Sequence, residues 1–313
     1  MDVVTFGETM VLFNPISVGP LRYAGLFEKT IGGAESNVAI GLTRLGHRAG
    51  WISRLGKDEF GLYVRNFIRG EGVDTSRVIF DAAYPTGVFF KERRPMKESK
   101  IYYYRKESAA SRLRPDDLDE EYIAKAGFLH ITGITPALSD SNKETVYHAI
   151  RLARRHGLTV VFDPNIRLKL WSEERVRSEL LDVAARCDIV LPGLEEGEVL
   201  TGSTDPEEIA AYLLDLGAKA VVVKLGGSGA YYAAVHESAR IDGYPVPHIV
   251  DPVGSGDAFA AGFLSGLIRG WSWSEAVRLG NRVAAHALTV VGDVEGLPFW
   301  SEVAPDPEEQ VLR

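Results

Sequence analysis

Residues 251–263 read DPVGSGDAFAAGF, and this stretch has the residue types that can seat an anion beside a base. Gly254, Ser255 and Gly256 lead straight into an apolar run of small residues. Glycines let the backbone turn and approach a ligand closely. The first amides of a helix have no internal partners, and the helix dipole favours negative charge there, so a phosphate is the natural occupant. Asp257 then falls in the first helical turn. Two readings are open for it. It is a favourable helix-start charge, or it is a base that takes a proton from a hydroxyl attacking the phosphate.

Four further clusters share this character. VVVKLGGSGAYY at 221–232 ends a strand and turns on Gly226, Gly227 and Gly229. That turn either joins two strands or also flanks a nucleotide. It lacks the G-x-x-x-x-G-K-[ST] and G-x-G-x-x-G spacings of phosphate and dinucleotide loops. IGGAESNVAIGLTRLG at 31–46 sets two glycines before a helix. Asn37 there either caps the helix or, with Gly33 and Ala34, meets the hydroxyls of a ligand. VVFDPNIR at 160–167 ends a buried strand in Asp163, Pro164, Asn165 and Arg167, at the strand edge where α/β proteins bind ligands. LEEGEVL at 194–200 opens a helix with three acids, one of which can position a hydrated magnesium ion. The seven histidines are scattered without H-x-x-x-H or H-E-x-x-H spacing, which argues against a histidine-ligated metal. No G-x-S-x-G elbow occurs.

These residues need a scaffold, and the rest of the chain predicts one. Short β-rich runs at 3–7, 49–56, 128–133, 158–163, 188–192 and 220–226 alternate with helical patterns. The helices are expected near 34–45, 58–71, 140–156, 173–186, 206–216, 256–269 and 274–291. The alternation predicts an α/β fold: a doubly wound, mostly parallel sheet flanked by helices. Residues of about 10–31 and 86–106 break the rhythm and read as a small antiparallel β-sheet lid on a single unit spanning 1–313. Inside the second lid segment lies KIYYYRKES, 100–108. Strand alternation puts Tyr103 and Arg105 on one face, assigned to a ligand. Tyr102 and Tyr104 share the other face and need cover from the lid or a second subunit.

Composition narrows the partners. The chain has 313 residues, 35 Lys and Arg against 43 Asp and Glu, and a net charge of -8, which argues against a general nucleic-acid binder. Its one cysteine, Cys187, rules out an intrachain disulfide and reads as core filler. The N-terminus begins like a strand, and no apolar run is long enough to span a bilayer, so a cytoplasmic protein without a membrane partner is expected. The tail APDPEEQVLR is expected to fray.

Taken together, IGGAESNVAIGLTRLG followed later by DPVGSGDAFAAGFL resembles the ribokinase-like (PfkB-type) carbohydrate kinases over essentially the whole chain. The resemblance implies ATP and Mg²⁺ as cofactors, and it implies roles. Asp257 matches the catalytic base; Gly254, Ser255 and Gly256 match the anion hole. Lys224, Gly226, Gly227, Ser228, Gly229 and Asn281 fall at ATP-binding positions, with Gly254 and Gly256. Glu196 matches an acid linked to magnesium through water, although Gly193 stands where the family has Asn. Asp251 matches a monovalent-cation position, with Pro252 and Val253 replacing two threonines, so potassium is an open question. Glu35 stands where a small residue or Pro is usual.

Within the family the likeness is greatest to kinases of 2-keto-3-deoxygluconate, on the strength of YYYRK, HITGITPALS and DPNIR. That substrate carries a carboxylate, which Arg binds with paired, directional bonds. Arg105 and Arg167 are expected to supply them, with Phe89, Tyr103, Asn165 and Asp293 as further substrate contacts. The implied reaction is ATP-dependent phosphorylation of the 6-hydroxyl. A kinase of fructose, ribose or another keto-deoxy acid remains an alternative. So do a sugar-binding regulator that has lost catalysis and a nicotinamide oxidoreductase. The aromatic lid strands invite a homo-oligomer.

Overall fold

The computed structural model describes residues 1–92, 94 and 100–304. The lid residues 93 and 95–99 and the tail from 305 onward lie outside the described residues. In chain order the first half runs β1 (Val3–Phe6), β2 (Met10–Pro15), β3 (Phe27–Gly32), α1 (Ala34–Arg44), β4 (Ala49–Gly56), α2 (Glu59–Gly70), β5 (Val78–Asp81), β6 (Val88–Glu92), β7 (Lys100–Tyr104), α3 (Glu120–Ile123), β8 (Phe128–Thr132), α4 (Ile134–Leu138) and α5 (Asp140–Arg155). The second half runs β9 (Thr159–Asp163), α6 (Glu173–Ala184), β10 (Ile189–Val190), α7 (Leu194–Thr201), α8 (Pro206–Leu216), β11 (Ala220–Lys224), β12 (Ala230–Ala234), β13 (Ser238–Ile241), α9 (Ser255–Ile268), α10 (Trp273–Ala287) and α11 (Trp300–Val303).

Among the described residues nine strands form the main sheet, in the order β13-β12-β11-β10-β9-β8-β1-β4-β5. It is parallel from β5 to β11 and ends in an antiparallel hairpin, β12–β13. The order reverses at β1, from which the chain builds outward in both directions. Ligand clefts form outside the carboxyl ends of strands at such a switch point. Successive strand residues face opposite helix layers. Val3, Val161 and Val222 pack with α1, α9 and α10, whereas Val4, Val160 and Val221 pack with α5, α6 and α8. Helix α9 is buried from Asp257 through Gly266. An apolar helix of this kind belongs inside a layer rather than on a surface. Cys187 is buried, as a core filler should be.

The two rhythm-breaking segments do form a lid sheet, in the order β3-β2-β6-β7. Its outer pairs, β2–β3 and β6–β7, are antiparallel. Its central pair, β2–β6, is parallel, so the lid is mixed and not purely antiparallel. The reason is connectivity: β2 and β6 are separated by β3, α1, β4, α2 and β5, a crossover that can return a strand in the same direction. Met10, Leu12 and Phe89 form the inner lid core, with Ile101 and Tyr103 against it. On the outer side Phe13 stacks on Phe90 at 5.1 Å, and Phe27 meets both rings edge-on. Tyr102 and Tyr104 are exposed on this side, Tyr104 by 65%. The facing expected of KIYYYRKES therefore holds. Among the described residues no helix is long and apolar enough to cross a membrane.

Candidate active site

The site is built from strand ends. Glu8 follows β1, Thr132 ends β8, Asp163 ends β9 and Lys224 ends β11, all at the carboxyl edge of the parallel sheet. The lid covers that edge, and between them lies a cleft of about 1370 Å³.

Helix α9 enters this cleft end-on. Gly254 caps it with φ 78°, a left-handed conformation that disfavours side chains. A Cβ on Gly254 would also sit 2.7 Å from the Asp293 carbonyl oxygen. The first intrahelical bond runs from Ala258 N–H to the Gly254 carbonyl at 2.9 Å, which leaves the Gly256 and Asp257 amides without helical partners. Gly254, Gly256 and Asp257 line the cleft. Ser255 does not: its hydroxyl turns back to donate to the Pro252 carbonyl at 2.9 Å.

Asp257 is buried, and two amides hold its carboxylate. Asn37 donates to Oδ2 at 2.8 Å and Asn165 to Oδ1 at 3.3 Å. Burial pushes the carboxyl up to about 8, and neighbouring Asp163 and Asp293 push the same way, while Asn37 and Arg167 oppose the shift. Asn165 reaches its position through a left-handed backbone, φ 38°, rare outside glycine but tolerated by Asn. Asn37 is thus more than the hydroxyl contact expected. Its amide nitrogen serves Asp257, its buried Oδ1 has no partner among the described residues, and the residue lines the cleft. Asp293 is likewise buried with an unpartnered Oδ1, and burial raises it to about 7.

On the side facing the lid, Gly33, Ala34, Phe89, Tyr103, Arg105 and Arg167 line the cleft. Phe89 stacks on Tyr103 at 5.6 Å. Arg105 lies over the Tyr103 ring, 5.5 Å from its centroid, and pairs with the carboxylate of Glu8. Glu8 also accepts from Ser108. Sequence reasoning missed Glu8, whose one signal was its place just past the end of a buried strand. Arg167 is exposed at the rim and donates to its own Ile166 carbonyl at 3.2 Å. Glu35, the unusual first-motif residue, is buried beneath this region and accepts from Thr132 and Thr135 at 2.6 and 2.8 Å. Burial raises its pKa, and the two hydroxyls oppose that.

At the other end, Lys224 donates to Asp163 at 2.7 Å and stands near Gly256. Burial opposes its charge, but Asp163 and Glu196 outweigh burial and hold its pKa above the usual lysine value. Glu196 lines the cleft and accepts the Gly193 and Ile166 amides at 2.7 and 2.8 Å. The Gly193 bond closes the first turn of α7. Gly226, Gly227 and Ser228 form an exposed turn, closed by the buried Gly229, outside the main cleft. Asn281 does not reach the cleft either. It donates to the Ile241 and Asp242 carbonyls at 3.4 and 3.0 Å, pinning the segment on which Gly229 packs.

A magnesium ion fits this donor set only through its phosphates and water. Among the described residues no cluster of three or more metal-ligating side chains exists. Glu196 has spare lone pairs at the cleft, and magnesium ordinarily keeps most of its waters. A monovalent cation at Asp251 does not fit. Asp251 is buried outside the cleft, and its Oδ2 already takes the ammonium of Lys91 and the Gly292 amide.

A doubly wound sheet with a β lid, an anion-binding helix start and a buried carboxylate beside it defines a sugar-kinase class of site. The profile of the pfkB family carbohydrate kinases matches residues 1–300, and the chain belongs to that family. It is 42% identical over 306 residues to a 2-dehydro-3-deoxygluconokinase of Bacillus subtilis, covering 97% of this chain and 94% of that protein. It is 38% identical to a 2-dehydro-3-deoxygluconokinase of Thermoproteus tenax, covering 100% and 94%. The crystal structure of a putative ribokinase II from E. coli in complex with ATP and Mg²⁺ superposes with a TM-score of 0.90 at 28% identity, covering 100% and 99%.

The raised carboxyl of Asp257 has a cost that can be measured. Between the ordinary 3.8 and about 8, the unfolded chain releases this proton and the folded chain keeps it, so stability falls as pH rises through that window. Asp257→Asn lacks the penalty. It is expected to melt higher than wild type by roughly 2–5 °C at pH 8 and by less at pH 5, read by calorimetry. A difference that does not grow with pH would count against the buried, protonated carboxyl.

Proposed function

We propose that this kinase transfers the γ-phosphoryl group of ATP to the terminal 6-hydroxyl of 2-keto-3-deoxy-D-gluconate, giving 2-keto-3-deoxy-6-phosphogluconate. The observation that carries the reading is one cleft that holds two guanidinium groups, Arg105 and Arg167, together with Asp257. A neutral sugar needs hydroxyl partners, whereas a carboxylate is matched by the planar fork of Arg. The names of the two similar kinases support the same substrate.

In this reading the sugar acid lies between lid and sheet. Its carboxylate meets Arg105 and Arg167, and Phe89 and Tyr103 cover the carbon chain. The 6-hydroxyl oxygen attacks the γ-phosphorus, its proton passes to the Asp257 carboxylate, and the bond from that phosphorus to the bridging oxygen of ATP breaks. A carboxyl raised to about 8 is a stronger base than an ordinary carboxylate. Asn37 and Asn165 orient it. The free amides at the start of α9 and the Lys224 ammonium hold negative charge that develops on the transferring group. Mg²⁺, held through water by Glu196, supplies charge neutralisation on the phosphates when bound. The turn 226–229 flanks the nucleotide, with Asn281 supporting the segment behind it. A reaction that consumes ATP belongs in the cytoplasm, the compartment we propose. The outer lid face, with Phe13, Phe90 and the exposed Tyr104, fits a second copy of the chain.

A panel of sugar acids and neutral sugars with ATP and Mg²⁺, read by ADP release, is expected to give the highest kcat/KM on 2-keto-3-deoxygluconate. A preference for fructose, ribose or another keto-deoxy acid would overturn the substrate. Asp257→Asn should still bind the sugar acid while kcat falls by about 10²–10⁴. Arg105→Ala should raise KM for the sugar acid by about tenfold or more, the loss of a charged hydrogen bond, and change a neutral sugar far less. Equal losses on both would remove Arg105 as the carboxylate contact. Light scattering should find an oligomer that Tyr104→Glu dissociates; a monomeric wild type would refute the lid interface.

A further inference from the structure

Lys91 is the residue that neither the motifs nor the proposed reaction accounts for. It lies on lid strand β6, two residues after Phe89 and on the same inward face, and it is 3% exposed. A buried lysine is costly unless a carboxylate pairs with it. Its partner is Asp251, itself 6% exposed, and the Nζ bonds to Oδ2.

Asp251 is a junction of three segments. Its Oδ1 accepts the Val253 amide at 3.3 Å, which shapes the loop just before Gly254. Its Oδ2 accepts the Gly292 amide, also at 3.3 Å, from the loop that carries Asp293. Its own amide and that of Val250 donate to the Leu288 carbonyl at 3.3 and 2.8 Å. The two loops are keyed together again where Gly254 packs on the Asp293 carbonyl. Asp293 lies within reach of the same ammonium: burial raises its carboxyl, Lys91 opposes that shift, and Glu295 and Asp251 add to it. The buried Asp251 carboxylate that ties these loops to the turn before α9 thus has its charge matched by the Lys91 ammonium.

We propose that the Lys91 ammonium is the resident monovalent cation of this site, does the work of an inorganic ion at Asp251, and makes the enzyme independent of potassium. An inorganic ion on the same carboxylate would sit against a buried ammonium, and like charges repel strongly in such surroundings. The tethered charge has a second consequence. Because Lys91 and Phe89 share one strand, the lid that covers the sugar also seats the cation behind the phosphate-binding turn. Lys91 is a positioning residue, since it acts through Asp251 and touches no reacting atom.

The consequences for turnover rest on the kinase reading; the consequences for folding do not. Thermal unfolding without sugar or nucleotide should therefore be compared in potassium, sodium and tetramethylammonium chloride at equal ionic strength. Wild type is expected to melt at the same temperature in all three, within about 1 °C. Lys91→Met is expected to melt lower and to be raised selectively by potassium, because a site that binds only the folded state stabilises it. Lys91→Arg keeps the charge and should show no cation preference. In turnover, wild-type kcat/KM should change less than about twofold between potassium and tetramethylammonium, and Lys91→Met should lose about tenfold and recover with potassium. A wild type whose melting temperature or kcat/KM rises severalfold or by several degrees only with potassium would overturn the proposal. So would a Lys91→Met variant that behaves as wild type in every salt. If Lys91→Met does not fold, the wild-type and Lys91→Arg series still decide. If no sugar is phosphorylated, the melting series decides alone, and the kinase reading fails separately.

Discussion

A carboxylate kept out of water in the first turn of a buried helix is the constraint on which this site depends. Asp257 can sit there only because Asn37 and Asn165 donate to its two oxygens from separate elements, α1 and the loop after β9. Those donors stand where they do because the parallel sheet brings β1, β8 and β9 side by side with a shared carboxyl edge. The small residues of α9 let it lie deep between α1 and α10, which is what removes Asp257 from water. Burial then raises the carboxyl, and the raised carboxyl is what a hydroxyl requires of its base. Stability is given up at the same atom that gains reactivity.

The cations of the region follow a common rule. Arg105 has Glu8, Lys224 has Asp163 and Lys91 has Asp251. Each pair is largely withdrawn from solvent, where a lone charge would be several kcal/mol more costly than a paired one, roughly 3–5 kcal/mol when one partner is removed. Pairing orients the cation before any ligand arrives, so less ordering remains to be done on binding. Arg167 differs: it is exposed and bonds only to a backbone carbonyl among the described residues. It can move to meet a ligand, while the paired cations are fixed.

Much of the scaffold was legible because it is local. The runs at 49–56 and 220–226 became β4 and β11 almost residue for residue, and the pattern at 140–156 became α5. Ser139 and Asp58 cap their helices with side chains, which fixes where α5 and α2 begin. The facing of Tyr103 against Tyr102 and Tyr104 followed from strand parity alone. Less legible were β5, whose four residues carry too little pattern, and the parallel pairing of β2 with β6, which depends on a crossover of more than seventy residues. Asn281 was assigned to ATP by resemblance alone; that its amide donates to the Ile241 and Asp242 carbonyls, beneath the 226–229 turn, could be read only from the fold.

Residue types and their spacing were enough to place a glycine turn before a helix start, a carboxylate in its first turn, and two arginines on segments that line the same cleft. These are properties of short stretches, governed by backbone sterics and helix ends. Which acid neutralises which base was decided only when the chain folded. Glu8 and Arg105 are 97 positions apart, and Lys91 and Asp251 are 160 apart. Nothing in either neighbourhood names the other. Coulomb attraction between buried groups acts through a few ångströms of space, and only the convergence of lid and sheet brings those groups that close.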